Sequence, residues 1–335
     1  MGKKTRGGRR RARAAIGWLC GLVSLSAAAL GQQPPPPSAP GSVLRVDVDV
    51  VNVYCTVKDR QGRLVTDLEA SDFEIREDGR KQEIRYFARE TDRPLTLALL
   101  IDTSVSQMKV LPAEKVTAIA FLNQILRPQD DLVLVLSFDV SVDLLQDFTS
   151  DTERLSDAIN RAYINAPFSP VNPGPFPGSG KVGTRLFDAI YLAANQKLAP
   201  EVGRKAIIVL TDGADFGSRV DEDQAIEAVQ RSDTMVYAIG IVDYDFYRRQ
   251  RAHYGGAGTL EKLARETGGR VIFPESAEGL LEAFDQIAAE LRSQYSLGYS
   301  PSNRRRDGKF RKIKVRVKKK GLRVQARRGY YGPEP

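Results

Sequence analysis

Between residues 95 and 292 the chain alternates short apolar runs with longer amphipathic stretches, and nothing else in it constrains the fold so tightly. The runs fall at 95–101, 132–138, 205–210, 235–241 and 270–273 and are rich in Val, Ile and Leu. Continuous apolar runs of this length suit strands buried on both faces, as in a parallel sheet. The segments 112–126, 151–163, 185–198, 221–232, 259–267 and 277–292 read as helices. Asp151 stands where an N-cap belongs, and Gly268-Gly269 stands where a helix stops. Residues 142–148 follow their strand too closely for a crossover and read as an antiparallel edge. The pattern predicts an α/β fold, a doubly wound, mainly parallel, Rossmann-like sheet with helices on both faces.

Both flanks have period two instead. Val46, Val48 and Val50 alternate with Asp47 and Asp49, and the alternation runs on to Val57. Short strands are expected at 72–76 and 82–87, around the turn Glu77-Asp78-Gly79-Arg80. Beyond the α/β region, strands are expected at 295–299, 310–317 and 322–326, the last two forming a hairpin around 318–321. Neither flank holds enough strands to be comfortable alone. The expectation is one small β domain made from segments 43–92 and 293–331, with an α/β domain, 93–292, inserted between them. Two separate β units are the alternative.

Seven Lys and Arg residues and no acid precede an apolar run over 14–30, which ends in Ala29-Leu30-Gly31. This is the pattern of a secretory signal over 1–31, with a retained N-terminal anchor as the alternative. A Pro-rich spacer, 32–42, follows. Without the leader the formal net charge of +8 falls to +1. What remains is uneven, since residues 303–329 carry fourteen basic side chains and one acidic. That end reads either as the solvated face of a hairpin or as a surface for anionic envelope material, and no nucleic-acid partner is expected. Cys20 lies in the leader, so Cys55 has no intramolecular disulfide partner. Export without disulfides fits a periplasmic, cell-surface or extracellular protein.

The first apolar strand ends in Asp102-Thr103-Ser104-Val105-Ser106. In open α/β sheets ligands bind outside the carboxyl ends of the strands. One carboxylate and two hydroxyls at alternate positions suit a hard cation that keeps some of its water, Mg²⁺ or Mn²⁺, with Ca²⁺ ranked behind them. Taken alone, the same residues read equally as a capped helix start. Two further elements bear on the choice. Thr184 opens the helix of 185–198, and Asp212 ends the strand of 205–210.

At these residues the chain resembles the von Willebrand factor type A domain, whose metal-ion-dependent adhesion site has the form Asp-x-Ser-x-Ser, a distant Thr and a distant Asp. Asp102, Ser104, Ser106, Thr184 and Asp212 fill all five places. The resemblance implies a divalent cation held by Ser104, Ser106 and Thr184, with Asp102 and Asp212 acting often through water and a partner's acidic side chain completing the sphere. The flanks, with Asp59-Arg60-Gln61-Gly62, Glu77-Asp78-Gly79 and Tyr295-Ser296-Leu297-Gly298-Tyr299, resemble secreted bacterial proteins with a related domain, many of them from acidobacteria. One departure is the connection 165–182, long for its place and containing five prolines. Its Gly178-Ser179-Gly180-Lys181 fails as a phosphate loop, because Pro175 and Val182 occupy required Gly and Ser/Thr positions.

Catalysis finds little support. His253 is the only histidine, and no Gly-x-Ser-x-Gly elbow is present. A phosphoryl-accepting Asp102 would want a second Asp where Ser104 stands. The function expected is therefore a non-enzymatic, exported, metal-dependent adhesion module that binds a protein ligand. A structural envelope protein with a vestigial metal site, or a metal-dependent hydrolase, are the alternatives. Asp139, Asp215 and Asp243 also fall near strand ends, where turn and cap roles compete with a role at the site.

Overall fold

The computed structural model describes residues 50–90, 93–164, 183–249 and 254–335. The leader, the spacer, the start of the first β segment, the Pro-rich connection and His253 lie outside the described residues.

In chain order the strands are β1 (Val51–Lys58), β2 (Phe73–Glu77), β3 (Arg80–Gln82), β4 (Ile84–Glu90), β5 (Leu95–Asp102), β6 (Leu132–Phe138), β7 (Val142–Thr149), β8 (Arg204–Thr211), β9 (Thr234–Gly240), β10 (Val271–Ile272), β11 (Gln294–Tyr299), β12 (Phe310–Val317), β13 (Arg323–Ala326) and β14 (Gly329–Tyr331). The helices are α1 (Leu111–Ile125), α2 (Thr152–Arg161), α3 (Leu186–Leu192), α4 (Glu222–Arg231), α5 (Tyr244–Arg249), α6 (Gly256–Thr267) and α7 (Ala277–Arg292), with a π-helical turn, Ala193–Leu198, continuing α3.

The central sheet has the order β10-β9-β8-β5-β6-β7, parallel throughout except for β7, which is the antiparallel edge the spacing implied. All of β5, β8 and β9 is buried. Leu97, Leu99 and Ile101 face one core with residues of α1, α2 and α7. Ala98 and Leu100 face the other, with residues of α3, α4 and α6. Helices on both faces are what apolar strands without alternation require. The helix signals act locally as read. The Asp151 carboxylate accepts the Glu153 and Arg154 amides, and Gly268 ends α6 in the left-handed conformation at φ 87°.

The two flanks are interleaved. β1 pairs with β11 and β13, β11 pairs with β4, and β12 pairs with β2 and β14. The result is two four-stranded sheets, β13-β1-β11-β4 and β14-β12-β2-β3, around one core that includes Val53, Cys55, Val57, Ile75, Tyr295, Leu297 and Ile313. Burial in that core pushes the Cys55 thiol far up, so it is an inert core residue. Glu290 of α7, almost wholly buried, takes Lys58 of β1 at 2.5 Å and Arg270 at 2.6 Å, which ties the sandwich to the α/β body.

Two expectations fail here. β12 and β13 do not form a hairpin. They lie in different sheets, because Ile313 and Val315 on one and Val324 and Ala326 on the other must face the same core from opposite sides. The stretch expected as one strand over 82–87 divides at Glu83, with β3 joining one sheet and β4 the other. Alternation shows which face is buried, not which sheet receives the strand.

Candidate metal centre

β5 and β8 are neighbours in parallel register, with Ile101 opposite Leu210, so both chains leave the sheet at the same edge. Asp102 and Asp212 are both wholly buried there. Asp102 Oδ1 accepts the Ser104 amide at 2.9 Å, and Oδ2 accepts the Thr211 hydroxyl at 2.6 Å. The Ser104 and Ser106 hydroxyls lie 3.0 Å apart. Asp212 Oδ1 accepts the Ala214 amide at 3.0 Å, and Oδ2 accepts the Tyr247 hydroxyl at 2.7 Å. Neither carboxylate forms an ion pair among the described residues.

Thr184 reaches this edge by its backbone. It exchanges two hydrogen bonds with Phe216, in the loop after β8, at 3.1 and 2.8 Å. The next amide, of Arg185, donates to the Asp139 carbonyl after β6 at 2.8 Å. β5 lies between β8 and β6, so these anchors hold Thr184 over the end of β5. Gly183 is suited to the approach, since a Cβ there would meet the Phe216 carbonyl oxygen at 3.0 Å. Thr184 itself is 5% exposed and makes no hydrogen bond to the other four side chains among the described residues.

The electrostatics are those of acids lacking a counter-charge. Burial, with Asp212 adding to it, raises the Asp102 carboxyl to about 7. Burial, with Asp212 again adding, pushes the Tyr247 hydroxyl far up, so it remains a donor. No group of three or more His, Cys, Asp or Glu side chains is close enough to hold a metal among the described residues. Any cation here would rest on two carboxylates and the hydroxyls, a donor set that fits an ion retaining waters. Each carboxylate oxygen already accepts one hydrogen bond and has capacity for another. The residues therefore fit a hydrated divalent cation, with Ser104, Ser106 and Thr184 as the hydroxyl donors.

The other acids near strand ends have local work. Asp139 Oδ1 accepts the Ser141 amide at 3.0 Å in a turn. Asp215 Oδ1 accepts the Phe187 amide at 3.1 Å and so caps the start of α3. Asp243 pairs with Lys109 at 3.4 Å and accepts the Tyr247 amide through its carbonyl. The sequence reading missed Thr211, Gln107, Glu114 and Tyr247. Gln107, wholly buried, donates to the Ser106 hydroxyl and to the Ile241 carbonyl, both at 3.4 Å. Glu114 had a readable signal. It stands three residues after Leu111 and four before Ala118, within the apolar stripe of α1.

No protein-family model and no curated protein matches the chain. Among solved structures it is similar to a von Willebrand factor type A protein from Catenulispora acidiphila, at 12% identity and a TM-score of 0.46, over 87% of this chain and 75% of that one. It is similar to proximal thread matrix protein 1 of the mussel byssus, solved with a zinc-occupied metal-ion-dependent adhesion site, at 14% identity and a TM-score of 0.49. It spans 49% of that protein, over 64% of its own length. It also covers 100% of the conserved hypothetical protein BatB from Bacteroides thetaiotaomicron, using 59% of its own length, at 18% identity and a TM-score of 0.44. The α/β body is thus a six-stranded, mainly parallel sheet with helices on both faces, and the flanks add two four-stranded sheets around a core of their own.

Proposed function

We propose that the chain is an exported, metal-ion-dependent binding module. Ser104, Ser106 and Thr184 hold Mg²⁺ or Mn²⁺ directly, Asp102 and Asp212 hold it through water, and the acidic side chain of a protein ligand completes its sphere. One observation carries this reading. Two wholly buried carboxylates stand at adjacent strand ends with no ion-pair partner among the described residues, and burial of that kind is costly unless a cation is supplied. Binding is favoured because the five side chains placed at the site are all oxygen ligands of the kind a hard, hydrated cation takes. The basic leader with its apolar run supports export. No helix among the described residues is long and apolar enough to cross a membrane.

The test is retention of envelope proteins from the source cells on the immobilised chain. Retention in Mg²⁺ that is released by EDTA, and lost with Ser104→Ala, is the expected result. Retention indifferent to both would contradict the reading.

A second surface is supported by a row of like charges. In register across three strands, Lys81 of β3 stands opposite Arg76 of β2, which stands opposite Lys314 of β12. Lys312 and Arg316 alternate onto the same exposed face of β12. Glu74, opposite Arg316, pairs with Arg76 at 2.7 Å and offsets one of these charges. Like charges directly opposite destabilise a sheet, so the basic excess that remains supports a site for anionic envelope material. In the turn after β12, Lys318 and Lys319 instead contact the Ser71 carbonyl and Asp72. Lys81→Glu with Lys314→Glu is expected to weaken low-salt binding to anionic lipid vesicles at least tenfold, at about 1 kcal/mol per charge near the surface. Equal binding by the double variant would remove this reading.

A further inference from the structure

α1 follows the site loop directly, and its first turn carries Glu114 into the core. The other buried residues of α1 are Leu111, Thr117, Ala118, Phe121, Leu122 and Ile125, apolar apart from Thr117, whose hydroxyl is satisfied by the Ala113 carbonyl. Glu114 is 0% exposed, and neither of its carboxyl oxygens has a hydrogen-bond partner among the described residues. A carboxyl so placed costs stability that a leucine would not. Burial raises it well above the usual carboxylate range, and the two charges that raise it further are Asp102 and Asp212. Seven residues before it, Gln107 donates through Nε2 to the Ser106 hydroxyl, while its buried Oε1 also has no partner among the described residues. Three buried oxygens without a hydrogen-bond partner among the described residues thus lie on two side chains of the segment that leaves the site, one on Gln107, which bonds Ser106, and two on Glu114 in the first turn of the helix that follows.

We propose that Glu114 is a further acidic residue of the metal centre, a positioning carboxylate that faces the cation from the protein interior through bound water and strengthens its binding. This rests on Asp102, Ser104, Ser106, Thr184 and Asp212 being the ligand set. Direct ligation is not the role, because Glu114 does not cluster with Asp102 and Asp212 closely enough to hold an ion with them. A hydrated Mg²⁺ or Mn²⁺ keeps several waters. Those on its inner side need acceptors, which the Glu114 oxygens and Gln107 Oε1 supply. Such outer partners are worth about 10–100-fold in metal affinity. The chain thereby supplies an internal acid, while the outward position stays open for a ligand's acid.

The experiment is calorimetric titration of Mn²⁺ into the full chain, alongside thermal melts in EDTA. Glu114→Gln keeps the shape and removes the charge. Glu114→Met restores the apolar stripe and guards against a folding defect. Both are expected to bind Mn²⁺ about tenfold or more weakly, with melting temperatures in EDTA equal to or above that of the wild type. Thr117→Val, a change in the next turn that adds no charge, is expected to leave the affinity unchanged. A purely structural glutamate would give the reverse, a lower melting temperature in EDTA and unchanged affinity. Wild-type affinity in both Glu114 variants would overturn the assignment and leave the five-residue site standing. Absence of Mn²⁺ binding by the wild type would overturn both.

Discussion

In EDTA the protein is expected to lose stability as pH rises from 5 to 8, and divalent cation is expected to abolish that loss. Asp102 ionises near 7 in the folded chain because it is buried beside Asp212, against about 3.9 in an unfolded chain. Glu114 is raised as well. Between pH 4 and 7 the native state therefore binds protons that the unfolded state has released. The derivative of unfolding free energy with pH is negative there, at about 1.4 kcal/mol per pH unit for each such group. Stability is highest below the unfolded values and falls as pH climbs through the folded one. The surface acids held low, among them Asp59, Asp72 and Asp147, are ionised in both states above pH 5 and leave this window to the buried pair. For Asp102 alone the drop from pH 5 to 7 is about 2 kcal/mol, which corresponds to a melting temperature lower by roughly 4–8 °C. Cation replaces the protons as counter-charge and adds about 2.7 kcal/mol at a hundredfold excess over Kd. A melting temperature in EDTA that is flat from pH 5 to 8 would show that these acids are not desolvated.

The second large effect is expected from Gly213→Ala. Gly213 follows Asp212 directly and sits at φ 82°, where an L side chain costs about 1–2 kcal/mol. A Cβ there would lie 2.6 Å from the Gly256 carbonyl oxygen and 2.7 Å from Leu260 Cγ. Overpacking of that kind adds about 1–3 kcal/mol. Gly256 in turn is pressed on the Asp212 carbonyl, which a Cβ would meet at 2.1 Å. The loop that aims Asp212 therefore rests on the N-terminal turn of α6 through two glycines. Gly213→Ala is expected to cost about 2–5 kcal/mol and to weaken cation binding by displacing Asp212. Gly217→Ala separates the two contributions, since Gly217 is at φ 103° with nothing within 4 Å of a built Cβ. It is expected to cost only the conformational part and to leave the cation affinity alone. Equal losses in stability and affinity for the two variants would show that the packing against α6 does not set the position of Asp212.

Much of this molecule can be read from its chain, for physical reasons that also mark the limits. β5 and β8 are apolar along their length because both faces are covered, so strand, parallel sheet and flanking helices follow together. Asp102, Ser104, Ser106 and Asp212 fall at strand ends, and parallel register brings strand ends together. Thr184 is a harder case, because its place depends on backbone bonds to Phe216 and on the Asp139 carbonyl, which no periodicity reports. The pairing of β12 and β13 with different sheets was not legible, since alternation is the same in a hairpin and in a strand pair that spans two sheets. α5 was hidden in a short polar and aromatic stretch, and with it Tyr247, whose hydroxyl closes on Asp212 from 35 residues away. Glu114 broke the apolar pattern of α1 visibly, but only its burial without a partner gives that break a meaning.

The most direct measurement is calorimetric titration of Mg²⁺ into the wild type and Asp102→Ala, both shown to be folded by circular dichroism. Asp102 links the Ser104 amide and Thr211 and carries half of the buried charge of Asp102 and Asp212. Saturable binding at one site in the wild type, weakened roughly 100-fold or more in Asp102→Ala, is the predicted result. Equal binding by the two proteins, or no binding by either, would contradict a metal centre at this strand end.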